Sequence, residues 1–382
     1  MTSLLHVPRS GRVARFVPAN ARVGTGGPRR ERVVTLDLMR GYYVAILAAV
    51  HLDYLPSLLG DVDGRGSLLV SEAENFFLIA GLLVGMLRRR DLERHGAARM
   101  ARNSWQRAGR LYLVAVTLTL LFTCIGRLAA ARGVTAVKVG LDTGSSPAAL
   151  LWRAAMLRYT YGWADFLTFY VPMFLLVPLA VWLLSRRLAA LVVLLAYAGY
   201  VLPSQFATGA ASPFLQWGVY FFLGTVAGYH WDDLRGWVGR LAPRRRLTLR
   251  WALVLAAVLI YAAGTVLLYH PEWTSSPLYN ELFQNNRLGL LRPVIAPVSA
   301  AGTYVLIRRF EAPIARTVGK VLLPFGRNSL YVYVAQSFFI FLVPFVFGPR
   351  GFWFNTSVDL TIIAVVFCAV RTRFLAFLLP GA

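Results

Sequence analysis

Charged residues, acidic ones above all, and cysteines are scarce in this sequence. Only 15% of its 382 residues are charged, with 17 Asp and Glu against 40 Lys and Arg. So low a charge content, with a mean hydropathy of +0.57, excludes an ordinary soluble domain. Cys124 and Cys368 both lie in apolar runs, which argues against a disulfide framework and against a thiolate metal site.

Motifs typical of soluble enzymes are missing as well. We find no internal repeat, no Walker or Rossmann fingerprint, no zinc-ligand spacing and no nucleophile elbow. The net charge of +23 would suit a nucleic-acid partner, but the arginines lie in short segments between apolar runs. That distribution orients membrane proteins, so the sequence predicts a lipid bilayer as partner, with no nucleic acid and no metal.

Long apolar runs dominate what is present. A bilayer-spanning helix needs about 20 mostly apolar residues. We therefore expect an all-α fold, a polytopic integral membrane helix bundle with about ten transmembrane helices. The predicted spans are 36–55, 67–87, 111–130, 164–184, 188–202, 214–231, 251–269, 288–307, 324–347 and 358–370.

The distribution of arginine predicts the orientation of the chain. Residues 1–35 are basic and lack the apolar stretch of a signal peptide, so we expect a disordered cytosolic tail followed by a membrane domain at 36–382. The strongly basic segments then alternate with the spans so that all of them fall on one side. Both termini are predicted to be cytosolic, in a bacterial-type inner (plasma) membrane. The sequence leaves the oligomeric state open.

Three local patterns make further predictions. Gly81 and Gly85 form a small-xxx-small pair suited to close helix contact. Pro172 and Pro178 are expected to kink the fourth span. Residues 148–161 are expected to form an amphipathic piece along the outer interface.

The first span carries ionisable residues that a membrane helix normally excludes. Arg40 and His51 are eleven positions apart, about three helical turns, so they share a face at a separation of about 16 Å. Ionisable groups inside a span are costly and usually mark function. The alternative is that Arg40 only reaches the cytosolic headgroups and His51 lies in the outer interface.

The same residues carry a family resemblance. Arg40 and His51, with a Leu-Asp pair before the arginine and Gly41 after it, resemble the acyltransferase type 3 superfamily of integral membrane proteins. Glu74 and Gly81 in the segment SEAENFFLIAG resemble the OpgC-like branch, typified by succinyltransferases of periplasmic glucans. The likeness is strong over about residues 33–90. It implies a transmembrane O-acyltransferase that moves a succinyl or acetyl group from cytosolic acyl-CoA to a hydroxyl of an extracytoplasmic envelope glycan.

The sequence departs from that branch just after the histidine. There a proline usually follows closely, whereas here the order is HLDYLP and the proline is Pro56. The departure leaves the end of the first helix and the height of His51 open, and nothing in the chain selects succinyl over acetyl.

The expected catalytic residues are His51, Glu74 and Asp53. Histidine is suited to take a proton from a sugar hydroxyl near neutral pH, and a carboxylate can orient its imidazole. Asp53 lies on a different helix face from His51, so Glu74 is the preferred partner. Arg40 and Arg327 are the expected donor-binding residues, because guanidinium groups bind phosphates well. The arginine-rich segment 88–110 either binds donor phosphates or serves topology alone.

Other polar and aromatic residues are candidates for binding the acceptor or lining a channel. They are Asp165, Tyr170, Trp273, Glu281, Asn285, Ser329 and Gln336. In the segment 270–287, aromatic rings would stack on sugars while polar groups bond hydroxyls; an aromatic belt with solvated neighbours explains it equally. Ser329 and Gln336 are seven apart and share a face, so they either line a polar path or make helix contacts.

Two functions remain open at this point. The first is the acyltransferase, with acyl-CoA as donor substrate and an envelope polysaccharide or glycolipid as acceptor. The second is a transporter or flippase of a lipid-linked or acylated envelope precursor, in which Arg40 and His51 bind the solute or relay protons.

Overall fold

A computed structural model describes residues 33–66, 68–134, 136–206, 211–283 and 289–374. These residues form α-helices and short 3-10 turns, with no strand among them, which confirms the all-α prediction. The helices are α1 (Val34–Leu52), α2 (Leu58–Asp63), α3 (Glu72–Ala131), α4 (Pro147–Ala155), α5 (Asp165–Ser185), α6 (Ala189–Phe206), α7 (Ala211–Tyr229), α8 (Trp231–Arg240), α9 (Pro243–Tyr269), α10 (Pro277–Phe283), α11 (Arg292–Arg309), α12 (Glu311–Arg316), α13 (Gly319–Arg327), α14 (Ser329–Leu342) and α15 (Phe352–Thr372).

Several of these helices are candidate membrane spans. In the described chain α3, α5, α9 and α15 are long and apolar enough to cross a bilayer, and the bent pair α13–α14 makes a fifth if it is counted as one span. Helices α1, α6, α7 and α11 also lie where spans are predicted. The number of about ten stays a prediction.

The predicted loop at 88–110 is wrong, because that segment is helical. Helix α3 starts with a capping box between Ser71 and Glu74 and continues for 60 residues. Arginine, alanine, leucine and methionine are good helix formers, so a basic composition alone does not end a helix. The single interruption is Gly96, where φ is +80° and ψ is 174°. Two predicted spans are thus the two arms of one broken helix.

Paired glycines hold α3 against α7. A Cβ on Gly81 would lie 1.8 Å from the backbone oxygen of Phe221, and one on Gly224 would lie 1.9 Å from the backbone oxygen of Leu78. Gly85 and Gly228 make the same kind of approach one turn further along. The predicted small-xxx-small contact is confirmed, and its partner is a second such pair on α7.

Helix α1 lies against the broken pair α13–α14. The two parts of that pair are bent by 102° at Asn328. Close approach of α1 to α13 again depends on glycine: a Cβ on Gly326 would lie 1.8 Å from the backbone oxygen of Asp37, and one on Gly41 would lie 2.0 Å from that of Leu322. This contact places the first turn of α14 beside the middle of α1.

The start of α1 and the end of α4 differ from those predicted. Helix α1 begins at Val34, and Thr35 donates a hydrogen bond to Glu311, so the predicted tail is shorter by two residues. Residues 1–32 lie outside the described part. Helix α4 ends at Ala155, well before the predicted end of the amphipathic piece. Helix α5 is continuous through Pro172 and Pro178, and the kink at these prolines stays a prediction.

Candidate active site

His51 lies in the last turn of α1, in a pocket of aromatic rings. The helix ends at Leu52, three residues earlier than predicted. The imidazole is 8% exposed and stacks on Trp163 with ring centroids 4.3 Å apart and an interplanar angle of 15°. Phe166 and Tyr333 meet it edge-on at 5.6 and 6.1 Å. These rings hold the imidazole in one orientation, since aromatic pairs have preferred geometries.

Lys138 lies against the same indole. Its Nζ is 3.3 Å from the centroid of the Trp163 ring and donates a hydrogen bond of 2.6 Å to the backbone oxygen of Gly162. Tyr333 donates to the backbone oxygen of Trp163 at 2.9 Å. Burial lowers the pKa of Lys138, and the nearby carboxylate of Asp165 opposes that shift. The segment between α3 and α4 thus brings a cation to the histidine.

A polar cluster around Asp142 fixes this segment. The carboxylate accepts hydrogen bonds from the backbone N–H and the hydroxyl of Ser145, at 2.9 and 2.7 Å, and from Arg153 at 2.5 Å. Arg127 donates to the backbone oxygen of Asp142 at 2.6 Å. The hydrogen bonds from Ser145 hold the pKa of Asp142 below its usual range.

The predicted carboxylate partners of His51 are wrong. Within the described residues Nδ1 of His51 has no hydrogen-bond partner. Asp53 follows the end of α1 with φ of +57° and is exposed to solvent. Glu74 is fully buried, but its oxygens are occupied elsewhere. Helical spacing placed Glu74 level with His51 but could not show which residues its carboxylate faces.

Arg292 at the start of α11 is the partner of Glu74. The guanidinium donates two hydrogen bonds to the carboxylate, Nε to Oε1 at 2.7 Å and Nη2 to Oε2 at 3.0 Å. Tyr220 donates to the same Oε1 at 2.7 Å, and the Ser71 backbone N–H donates to Oε2 at 2.7 Å. Arg292 also bonds the backbone oxygens of Leu68 and Phe283. These hydrogen bonds join α3, α7 and α11.

Arg40 is bound at the bend of α13–α14. It donates a hydrogen bond to the hydroxyl of Ser329, the first residue of α14, which joins two residues that the sequence singled out separately. Arg107 on the second arm of α3 is partly buried, and the charges of Arg40, Arg88 and Arg110 act on it. Like charges this close are costly unless an anion offsets them.

An open pocket on the second arm of α3 is lined in part by arginines. The pocket has a volume of about 530 Å³ and is lined by Ala98, Arg99, Arg102, Asn103 and Gln106. Asn103 and Arg88 both contact Asp91, so the two arms of α3 meet there across Gly96. The segment predicted as a basic loop therefore carries its arginines on a helix, and Arg107 among them is near enough to Arg40 for their charges to interact.

Two of the predicted channel residues, Tyr170 on α5 and Gln336 on α14, are buried. The Tyr170 hydroxyl and Nε2 of Gln336 are buried and have no hydrogen-bond partner among the described residues. Tyr170 is close enough to Arg40 to interact with its charge. Tyr333 is likewise close enough to Tyr170 and Asp165 for electrostatic interaction. Buried polar groups are normally satisfied, so these two side chains are candidates for contact with water or a ligand.

The remaining predicted residues lie apart from His51. Arg327 forms a half-exposed ion pair with Asp37, with Nε and Oδ2 3.6 Å apart. Trp273 is exposed and stacks on His270 at 4.6 Å, and Glu281 is exposed. In the part of the chain that the structure describes, neither contacts His51. Asn285 lies outside the described residues.

Several residues of the site were missed from the sequence. They are Trp163, Tyr333 and Lys138 around His51, and Tyr220 and Arg292 around Glu74. From spacing alone, most of them cannot be told apart from the aromatic residues that line a membrane interface or from the solvated charged residues of a loop. Arg292 did carry a signal, since it is an arginine at the start of an apolar run, directly before Pro293.

Comparison with known proteins matches a family model. The family described as "OpgC protein" matches residues 32–376. No curated protein and no solved structure matches the chain.

Proposed function

The chain belongs to the OpgC family, and from that premise we propose that it is a transmembrane O-acyltransferase. Family membership implies an acyltransferase of glucans. The finer reaction that we propose takes an acyl group from cytosolic acyl-CoA to a hydroxyl of an extracytoplasmic envelope glycan. The setting that we propose is the inner membrane, with both termini in the cytosol.

The observation that supports this proposal most is that α1 has an arginine site near one end and a stacked imidazole at the other. One end holds a guanidinium among other arginines, suited to the phosphates of CoA. The other end holds a stacked imidazole with a free Nδ1. The ends are about 16 Å apart along α1. A slender pantetheine arm suits such a depth, so the nucleotide stays on one side while the thioester reaches the other.

In the proposed step His51 acts as general base. The acceptor hydroxyl oxygen attacks the thioester carbonyl carbon, and its proton passes to the imidazole. The tetrahedral intermediate collapses, the carbon–sulfur bond breaks, and the imidazolium returns the proton to the leaving thiolate. The products are an ester and free CoA thiol. Stacking on Trp163 holds the imidazole in position throughout.

Release of CoA thiol from acyl-CoA tests the proposal. Purified protein in nanodiscs is expected to release thiol from acetyl-CoA or succinyl-CoA, faster when envelope glycan is present. Envelope glycans from cells with and without the chain are then compared by mass, which identifies both the acyl group and the acceptor. Absence of thiol release with every donor, together with unchanged glycan masses, would refute the acyltransferase.

The bend in α13–α14 favours a second candidate function, a transporter or flippase of an acylated or lipid-linked precursor. Broken helices at mid-membrane often form the binding sites of transporters. Transporters usually carry such breaks in matching halves, whereas the described chain has one bent pair of this kind. Movement of an intact labelled precursor across proteoliposomes, without thiol release, would favour transport.

A further inference from the structure

Lysine is almost absent from this chain. Of the 40 basic residues other than histidine, two are lysines, Lys138 and Lys320, and the rest are arginines. Lys320 is exposed on α13. Lys138 is partly buried and lies against the indole on which His51 stacks. A compact ammonium therefore occurs next to the candidate base in a chain that otherwise uses guanidinium groups.

The surroundings of Lys138 hold its ammonium against the indole on which His51 stacks, near enough for its charge to act on the imidazole. The Nζ of Lys138 lies 3.3 Å from the centroid of the Trp163 ring. The centroid of the His51 ring lies 4.3 Å from that of Trp163. One N–H donates to the backbone oxygen of Gly162. Asp165 lies near enough to interact with the ammonium but forms no ion pair with it in the described chain. The charge is thus held in place but not neutralised by a direct carboxylate contact.

We propose that Lys138 is a further catalytic residue, whose ammonium stabilises the oxyanion formed when the acceptor hydroxyl attacks the thioester. This inference rests on the proposed acyl transfer. The attack forms a carbon–oxygen bond, sends the hydroxyl proton to His51 and leaves a negative charge on the former carbonyl oxygen. Collapse restores the carbonyl and expels the thiolate, so the charge at that oxygen is transient. A fixed cation there lowers the barrier because it interacts more strongly with the transition state than with the substrate.

The choice of lysine over arginine fits this role. An ammonium is a compact charge with three donors, whereas a guanidinium is a broad planar fork that suits phosphates and carboxylates. One donor bonds Gly162 and one side of the ammonium packs on the indole of Trp163, which leaves an N–H for the reacting oxygen. The arginines gather at the Arg40 end, where phosphates are expected, so each type of cation occurs where its geometry fits the anion.

Two substitutions at position 138 and one matched control test the proposal. Lys138→Gln keeps an N–H that can bond Gly162 but removes the charge. Lys138→Arg keeps the positive charge but replaces the compact ammonium with a planar guanidinium. Lys320→Met removes the other lysine. Thiol release is measured on all variants in nanodiscs with acetyl-CoA and with succinyl-CoA, and kcat and KM are separated. Melting temperatures show whether each variant folds.

We expect Lys138→Gln to lower kcat by about 10²- to 10³-fold with both donors while KM changes little, the size seen when one oxyanion donor is removed. Lys138→Arg is expected to restore part of kcat, and Lys320→Met to match the parent. A folded Lys138→Gln protein with the parent's kcat would overturn the proposal. Loss confined to succinyl-CoA would also overturn it, since Lys138 would then bind the acyl carboxylate. A parent protein without any acyl transfer would instead refute the proposed function.

Discussion

His51 and Arg40 stand on one helix face but have different surroundings. The imidazole is enclosed by aromatic rings, whereas the guanidinium is bound to Ser329 among other positive charges. A stacked neutral base suits proton transfer, and clustered guanidinium groups suit an anion. The two residues are therefore expected to affect different steps.

Substitution of the two residues is expected to separate these steps. Arg40→Ala should weaken acyl-CoA binding by about 10- to 100-fold, the value of one charge-assisted hydrogen bond. His51→Ala should lower the single-turnover rate by about 10²- to 10⁴-fold and leave donor affinity nearly unchanged. Donor affinity and single-turnover rate are measured on both variants, with His95→Ala, an exposed histidine, as control. Near-normal transfer by His51→Ala would show that the base lies elsewhere.

The ion pair of Glu74 and Arg292 is expected to contribute to stability rather than to turnover. Both side chains are at most 1% exposed, so removing one partner leaves a buried charge uncompensated. Arg292→Met should reduce the free energy of unfolding by about 3–5 kcal/mol. The double variant Arg292→Met with Glu74→Gln should be less destabilised than the two single effects added together. Unfolding in mixed detergent and SDS measures this, and strictly additive losses would contradict the pairing.

Between elements, backbone contact at paired glycines replaces the interlocking of side chains. On both α3 and α7 the glycines recur every four residues, so each helix presents a smooth strip to the other. The same device joins α1 to α13. The first pair could be read from the sequence, because Gly81 and Gly85 fall within one predicted span.

Substitution of these glycines is expected to disrupt packing according to the contact each one makes. A methyl group at Gly81 would meet the backbone of Phe221, which cannot move as a side chain can, so Gly81→Ala should destabilise the protein by about 1–3 kcal/mol. Gly109 has no atom near its Cβ position, and Gly109→Ala should change stability by less than about 1 kcal/mol, in the stabilising direction. Melting temperatures of both variants check this. Equal effects would argue against close α3–α7 contact.

The segment between α3 and α4 is expected to loosen in acid. The Asp142 carboxylate has a lowered folded-state pKa, so its hydrogen bonds stabilise the segment above the usual Asp pKa of about 3.9. That contribution is lost as pH falls from there through the folded pKa. Hydrogen exchange of residues 136–146, corrected for intrinsic rates, should therefore rise below about pH 4. Asp142→Asn should remove the pH dependence, and protection unchanged between pH 6 and pH 3 would contradict it.

At the scale of the whole molecule, the apolar runs and the arginine distribution predicted where the helices lie. They did not predict which helices contact each other. Every predicted span overlaps a helix, and Arg40 and Ser329 proved to be neighbours. Periodicity places a residue on a face but does not say which helix that face meets. For that reason Glu74 was assigned to His51 rather than to Arg292, which is 218 positions away in the sequence. Lys138 escaped notice because loop cations are usually solvated.

The predicted topology is testable with reporter fusions. If the basic segments all face the cytosol, fusions near residues 95, 240 and 315 should be cytosolic, and those near residues 60, 142 and 272 should be outside. Cysteine labelling in intact cells at the same positions provides an independent measurement. A reporter at residue 142 found in the cytosol would place Lys138 on the wrong side for the proposed reaction.

The glycine contacts restrict how the protein can move. Helices whose backbones touch have no side chains between them that could change rotamer, so α3 with α7, and α1 with α13, behave as two stiff units. Any opening that admits a long donor must come from relative motion of these units or from bending where a helix is already broken. Gly96 and Asn328 are such points: Gly96 lies within the arginine-rich segment, and Asn328 precedes Ser329, which binds Arg40. They are the natural hinges for entry from that side.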